Sequence, residues 1–128
     1  MTKPPKPTER QVQRSILAMC GACLPDVLVV HVPNGAHLGG DDRSRAMQMG
    51  ALKGDGLKVG FPDLLCIWRS GMALIEVKRP GGKLSDAQTE MHERLSGMGH
   101  IVSVVTSDAE AQAFLKSCGA PMRGRLSA

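Results

Sequence analysis

Gly60-Phe61-Pro62-Asp63-Leu64-Leu65-Cys66-Ile67-Trp68-Arg69-Ser70-Gly71-Met72-Ala73-Leu74-Ile75-Glu76-Val77-Lys78 reads as two apolar runs either side of Ser70-Gly71. That is the pattern of a β-hairpin closed by a two-residue turn. A turn at Ser70-Gly71 sets Arg69 opposite Met72, Leu65 opposite Glu76 and Asp63 opposite Lys78. Side chains alternate along a strand, so Asp63, Glu76 and Lys78 leave the same face of the hairpin. Asp63 and Glu76 become diagonal neighbours, roughly 7–8 Å apart at the backbone. Both carboxylates could then ligate one divalent cation, with Lys78 beside it. A one-residue slip in register would separate them.

A surface hairpin with an ordinary ion pair is the competing reading. Against it, Leu64, Leu65, Cys66 and Ile67 on one strand and Ala73, Leu74, Ile75 and Val77 on the other are apolar on both faces. Strands of that kind are normally central and covered on both sides. Charges at the rim of such a pair are costly unless matched or bound to metal.

The chain has 128 residues, 42% of them apolar, enough for one domain with a real core. No apolar run is long enough to span a bilayer and no signal-peptide pattern opens the chain. The expectation is a soluble, cytoplasmic protein with no membrane partner. The formal charge is +4, and basic residues gather at Arg43/Arg45, Lys53/Lys58, Lys78/Arg79/Lys83 and Arg123/Arg125. This favours an anionic partner, nucleic acid first. With two Phe, one Trp and no Tyr, a stacking platform for single strands is not expected, so contacts would go mostly to phosphates. Cys20-Gly-Ala-Cys23 has no second CxxC or paired His to complete a zinc site. It also ends a helical stretch, whereas a redox pair of the thioredoxin type opens one. Reduced, structural cysteines are expected.

Residues 1–7 read as a disordered, proline-rich leader, residues 8–118 as a single domain, and residues 119–128 as a loose basic tail. Thr8 can cap a first helix with Val12, Ile16, Leu17, Met19 and Cys20 on its inner face and Gly21 as its stop. Glu9 falls in the first turn, where a carboxylate suits the helix dipole. Val27 to Val32 reads as a buried strand ending at the Pro33-Asn34-Gly35 turn. The glycines that follow lack a GK[ST] ending, and Gly54-Asp-Gly56 follows no strand, so no nucleotide cofactor is expected. Arg43 to Lys53 is a second helix, with Met47 or Leu52 turned inward and a basic side suited to a phosphate backbone. After the hairpin, Ser85-Asp86-Ala87-Gln88 is a capping box for a helix to about Met98, with Met91, Leu95 and Met98 as its stripe. Ile101 to Val105 is a short buried strand. Ser107 caps a last helix carrying Ala111, Phe114 and Leu115 inward. The fold class is α/β, with a four-stranded mixed sheet. Its last strand is reached through a helix and can join in parallel.

Pro62-Asp63 followed by Glu76-Val77-Lys78, in an αβββαβ order, resembles the PD-(D/E)xK nuclease superfamily and its restriction-endonuclease-like core flanked by helices. More narrowly, the chain resembles the VRR-NUC family, the virus-type replication-repair nucleases, in its stand-alone phage and bacterial form. The residues carrying the likeness run from 9 to 106. They are Glu9 with Gln13, His31-Val32-Pro33-Asn34-Gly35, Gly56-Leu57-Lys58-Val59-Gly60-Phe61-Pro62-Asp63-Leu64, Glu76-Val77-Lys78-Arg79-Pro80, and Leu84-Ser85-x-x-Gln88. The resemblance implies that Asp63, Glu76 and the Val77 carbonyl ligate Mg²⁺ or Mn²⁺, with Glu9 approaching directly or through water. It implies that Lys78 orients or helps deprotonate the attacking water and that Gln88 lies close by. Gln88 is claimed twice, because turning back to cap Ser85 competes with facing the metal. Asn34, Arg43, Arg45, Lys53, Lys58, Arg79 and Lys83 are the candidates for DNA contact.

The resulting expectation is a metal-dependent, structure-selective endonuclease acting as a homodimer on branched DNA such as four-way (Holliday) junctions. A nicking or flap-type nuclease competes within the same class. A non-catalytic DNA-binding domain of the same fold competes from outside it, as does an HNH-type site built on His31, Asn34 and His37. The spacing of the last three is too short for that element.

Overall fold

The computed structural model describes residues 3–33 and 38–123. Its elements are α1 (Glu9–Cys23), β1 (Leu28–His31), α2 (Asp42–Gly54), β2 (Leu64–Trp68), β3 (Gly71–Val77), α3 (Asp86–Gly97), β4 (Val102–Val105) and α4 (Asp108–Ser117). The sheet runs β1-β2-β3-β4, with β1, β2 and β3 successively antiparallel and β4 parallel to β3. This is the αβββαβ order and mixed sheet expected from the sequence.

Helix starts follow their caps. Thr8 accepts the Gln11 N–H, and the Gln11 side chain accepts the Thr8 N–H, which fixes where α1 begins and places Glu9 as its first residue. Ser85 and Gln88 make the same reciprocal pair at α3, and Ser107 caps α4. Gly21 does not stop α1, which continues to Cys23 because Cys20 and Leu24 still have core to pack against.

The core lies on one face of the sheet, between it and the α1–α4 pair. Val12, Ile16 and Cys20 meet Leu64, Cys66, Ala73, Ile75 and Val77, with Ala111 and Leu115 closing the layer. The four cysteines are free; burial pushes the Cys20 thiol up to about 11 and the Cys66 thiol up to about 12, so both stay protonated.

Several burial expectations are corrected. β1 is an edge strand, with Leu28 63% exposed. Val30, Ile67, Met72 and Val104 are exposed as well, so among the described residues the face away from the core is covered where α3 crosses it and open elsewhere. Leu17 is exposed on α1 and Met98 beyond α3. α2 has no fully buried residue; of the two side chains expected to turn inward, Met47 is 69% exposed and Leu52 is half-buried. Conversely, residues 119–123, assigned to a loose tail, are held in place. Ala120 is buried, the Arg123 N–H donates to the Cys23 carbonyl, and its guanidinium pairs with Asp26.

The hairpin turn is also displaced. Trp68 pairs with Gly71 and Leu64 with Ile75, so the turn is Arg69-Ser70, one position earlier than expected. The reason is Trp68. A Cβ on residue 71 would sit 3.1 Å from the indole, so Gly71 serves to clear the ring and stays in the strand. Moving a turn by one position moves each cross-strand partner by two, which preserves faces. Continued by one residue, this register sets Asp63 opposite Glu76 rather than diagonal to it.

Gly60 fixes the approach of that strand to α3. Its φ is +83°, and a Cβ there would lie 2.4 Å from the Ala87 carbonyl oxygen. The left-handed conformation alone costs a non-glycine residue roughly 1–2 kcal/mol, and the clash is with backbone. Gly60→Ala should therefore lower unfolding stability in urea by at least about 2 kcal/mol. A loss under 0.5 kcal/mol would show that the loop yields freely.

Candidate active site

Among the described residues three charged side chains are buried: Asp63 at 7% exposure, Glu76 at 0% and Lys78 at 9%. All three come from the inner ends of β2 and β3, on the face opposite the main core. Asp63 ends the ladder itself. Its Oδ2 accepts the Val77 N–H at 2.8 Å, so a side chain occupies the place of the next backbone acceptor. Its carbonyl accepts from the Val32 N–H at 2.8 Å, tying the same point to the end of β1.

Glu76 is gripped from above by α3. Gln88 Nε2 donates to Glu76 Oε2 at 3.3 Å, and His92 Nε2 lies 3.0 Å from Oε1. The capping box puts Gln88 where it can do this. Its amide oxygen accepts the Ser85 N–H at 2.9 Å while its nitrogen points at Glu76. The two roles that competed for Gln88 are served by opposite ends of one amide.

Burial, the neighbouring Asp63 carboxyl and, more weakly, the Glu9 charge push the Glu76 carboxyl up to about 9, with Lys78 opposing them. Without a cation the pair therefore holds a proton at neutral pH. Burial and the Lys78 ammonium hold His92 below its ordinary value, so its contact with Glu76 is a hydrogen bond with a neutral imidazole rather than an ion pair. Among the described residues no buried side-chain nitrogen or oxygen lacks a hydrogen-bond partner.

The structure thus gathers Asp63, Glu76, Lys78 and Gln88. Glu9 stays exposed at the start of α1, and among the described residues no three of His, Cys, Asp and Glu are grouped to hold a metal ion. The oxygen donors present are the two adjacent carboxylates. That set suits a hard cation, which takes one or two carboxylates and keeps its waters. It also suits the Glu76 environment, where a cation could replace the shared proton. Arg43, Lys53, Lys58, Arg79 and Lys83 are exposed. Arg45 is exposed too, but it is engaged by Asp42 and the Gly40 carbonyl. Asn34 and His37 lie outside the described residues. His31 Nδ1 is taken up by Gln13 at 3.2 Å and the Asp63 carbonyl at 3.3 Å, a linking role between α1 and the strand ends.

Sequence reasoning did not single out His92. The available signal was its spacing: it lies four residues after Gln88, on the same face of α3.

Among the described residues, four helices around a four-stranded mixed sheet, with an Asp…Glu-x-Lys cluster at the strand ends, fit a restriction-endonuclease-like core. Residues 25–109 match the VRR-NUC domain, well over half of the chain, and the protein belongs to this family of PD-(D/E)xK nucleases. Membership implies a phosphodiesterase with DNA as substrate. The match begins after α1, so Glu9 and Gln13 lie outside it. No curated protein matches the chain. Among the described residues, no helix is long and apolar enough to cross a membrane.

Proposed function

We propose that this protein is a divalent-metal-dependent, structure-selective DNA endonuclease that cuts branched DNA, four-way junctions foremost, as a homodimer. The observation that carries the reading is the buried pair of facing carboxylates, Asp63 and Glu76, with Lys78 beside them. Asp63, Glu76 and the Val77 carbonyl would hold Mg²⁺ or Mn²⁺, with Glu9 reaching it through water. The cation would supply a lowered water pKa and neutralise charge on the phosphate oxygens. Lys78, on the same face two residues after Glu76, orients the attacking water and offsets negative charge as the phosphodiester is cleaved. Gln88 holds Glu76 in place from α3. Two subunits would supply the two cuts that symmetric resolution of a junction needs.

The test is Mg²⁺- and Mn²⁺-dependent cleavage by the wild-type protein on four-way junctions, flaps, nicked and intact duplex, and single strands. Preference for the four-way junction of at least tenfold supports the reading. A higher rate on flaps or nicked duplex moves it to the nicking or flap class, and no cleavage of any substrate leaves a DNA-binding domain. Sedimentation at working concentration tests the dimer, and a monomeric mass with intact junction cleavage overturns that part.

Binding should run through exposed cations, with α2 as an arm along the phosphates. Arg43→Ala combined with Lys53→Ala should flatten the slope of log affinity against log salt by about 2 for duplex arms, one phosphate contact per residue. An unchanged slope by fluorescence anisotropy would take α2 out of the interface.

A further inference from the structure

His92 is absent from the roles proposed above, yet it makes the shorter of the two contacts to Glu76. Its Nε2 lies 3.0 Å from Oε1, against 3.3 Å for Gln88 Nε2 and Oε2. Its side chain is 14% exposed and that of Glu76 is 1% exposed, so water competes little for the bond. Gln88 and His92 sit one turn apart on α3, and each takes a different oxygen of the same carboxylate. A glutamate has three side-chain torsions, and two hydrogen-bond partners on one rigid helix leave it little freedom to turn. A carboxylate oxygen has two lone pairs, so one hydrogen bond on each leaves the other sites open to a ligand.

We infer that His92 is a positioning residue for the nuclease site: its ring N–H donates to Glu76 Oε1 and fixes the orientation in which that carboxylate meets the divalent cation. The inference rests on the reading of Asp63 and Glu76 as cation ligands. Hydrogen-bond partners of ligating groups of this kind are typically worth 10–100-fold in metal affinity or activity. His92 acts on Glu76 alone, so phosphate contacts should not depend on it.

Two substitutions isolate the donor. His92→Phe keeps a ring and removes the N–H, while His92→Gln carries an amide N–H to the place of Nε2. Mn²⁺ binding is measured by calorimetry on wild type and both variants, together with the Mn²⁺ concentration giving half-maximal cleavage and DNA affinity in EDTA. His92→Phe should raise the Mn²⁺ dissociation constant and the half-saturating concentration at least tenfold, with DNA affinity unchanged within twofold. His92→Gln should recover both metal readings to within about threefold of wild type. Circular dichroism confirms that both variants fold, and the Gln rescue separates a donor from mere filling of space. If His92→Phe binds Mn²⁺ within twofold of wild type, the inference is overturned while the nuclease reading stands. The inference is also overturned if His92→Gln is as impaired as His92→Phe. Wild type that neither binds Mn²⁺ nor cleaves DNA overturns the site reading itself, and the role of His92 with it.

Discussion

Glu76→Ala should lower metal-dependent cleavage by at least about a thousandfold, a barrier increase of about 4 kcal/mol, while DNA affinity in EDTA should stay within about twofold. Glu76 is fully buried on the last turn of the pleat in β3 and contributes half of the oxygen donor pair. One carboxylate would remain for the cation, without the neighbour that sets its geometry. The phosphate contacts proposed above belong to exposed cations away from Glu76 and should be spared. Asp63→Ala should be equally inactive for a compound reason, because Asp63 Oδ2 also accepts the Val77 N–H. Losing that acceptor leaves a buried donor unpaired, at a cost of about 1–3 kcal/mol. Asp63→Ala should therefore be both inactive and less stable, and Asp63→Asn less damaging to stability than Asp63→Ala. Single-turnover cleavage and urea unfolding read the two effects separately. Residual cleavage by Glu76→Ala within tenfold of wild type would remove Glu76 from the chemistry.

What the sequence revealed about this site, and what it hid, follows from which physical rule each residue obeys. Period-two alternation is a property of the strand itself, so the shared face of Asp63, Glu76 and Lys78 was legible. It survived a turn displaced by one position. The displacement was hidden because Ser70-Gly71 between two apolar runs has the composition of a turn, whereas the fold uses the missing Cβ of Gly71 to admit Trp68. Capping boxes are local, so the start of α3 was legible from Ser85 and Gln88. That Gln88 could also reach Glu76 depends on how α3 lies across β3, which no local pattern specifies. His92 was passed over because it falls between Met91 and Leu95, in a stretch read only for its apolar stripe. The exposed Leu28, Val30 and Ile67 show the same limit from the other side. An apolar run says a strand can be covered on both faces, but only the length and placement of α3 say how much of it is.

The carboxylate pair also sets how the metal-free protein responds to pH. In the unfolded chain Glu76 titrates near its ordinary value of 4.5, whereas in the fold it holds its proton up to about 9. Between those values the folded state binds more protons than the unfolded state, so stability must fall as pH rises. The contribution is fully present below about 4.5 and is lost as pH climbs through about 9. In EDTA, the Tm of the wild-type protein should therefore decline steadily from pH 5 to pH 9, by more than about 5 °C. Each kcal/mol lowers Tm by roughly 3–6 °C in a domain of this size. Glu76→Gln replaces the titrating group with a neutral amide that can still bond to Asp63. Its Tm should be nearly flat over the same window and should exceed that of wild type at pH 9, although the protein is inactive. Added Mn²⁺ should restore wild type most at high pH, where a cation no longer has to displace a proton, and should leave Glu76→Gln almost unmoved. A wild-type Tm in EDTA that is constant or rises from pH 5 to pH 9 would mean that Glu76 is already ionised in the empty site. The repulsion between the facing carboxylates would then be offset by something other than a shared proton.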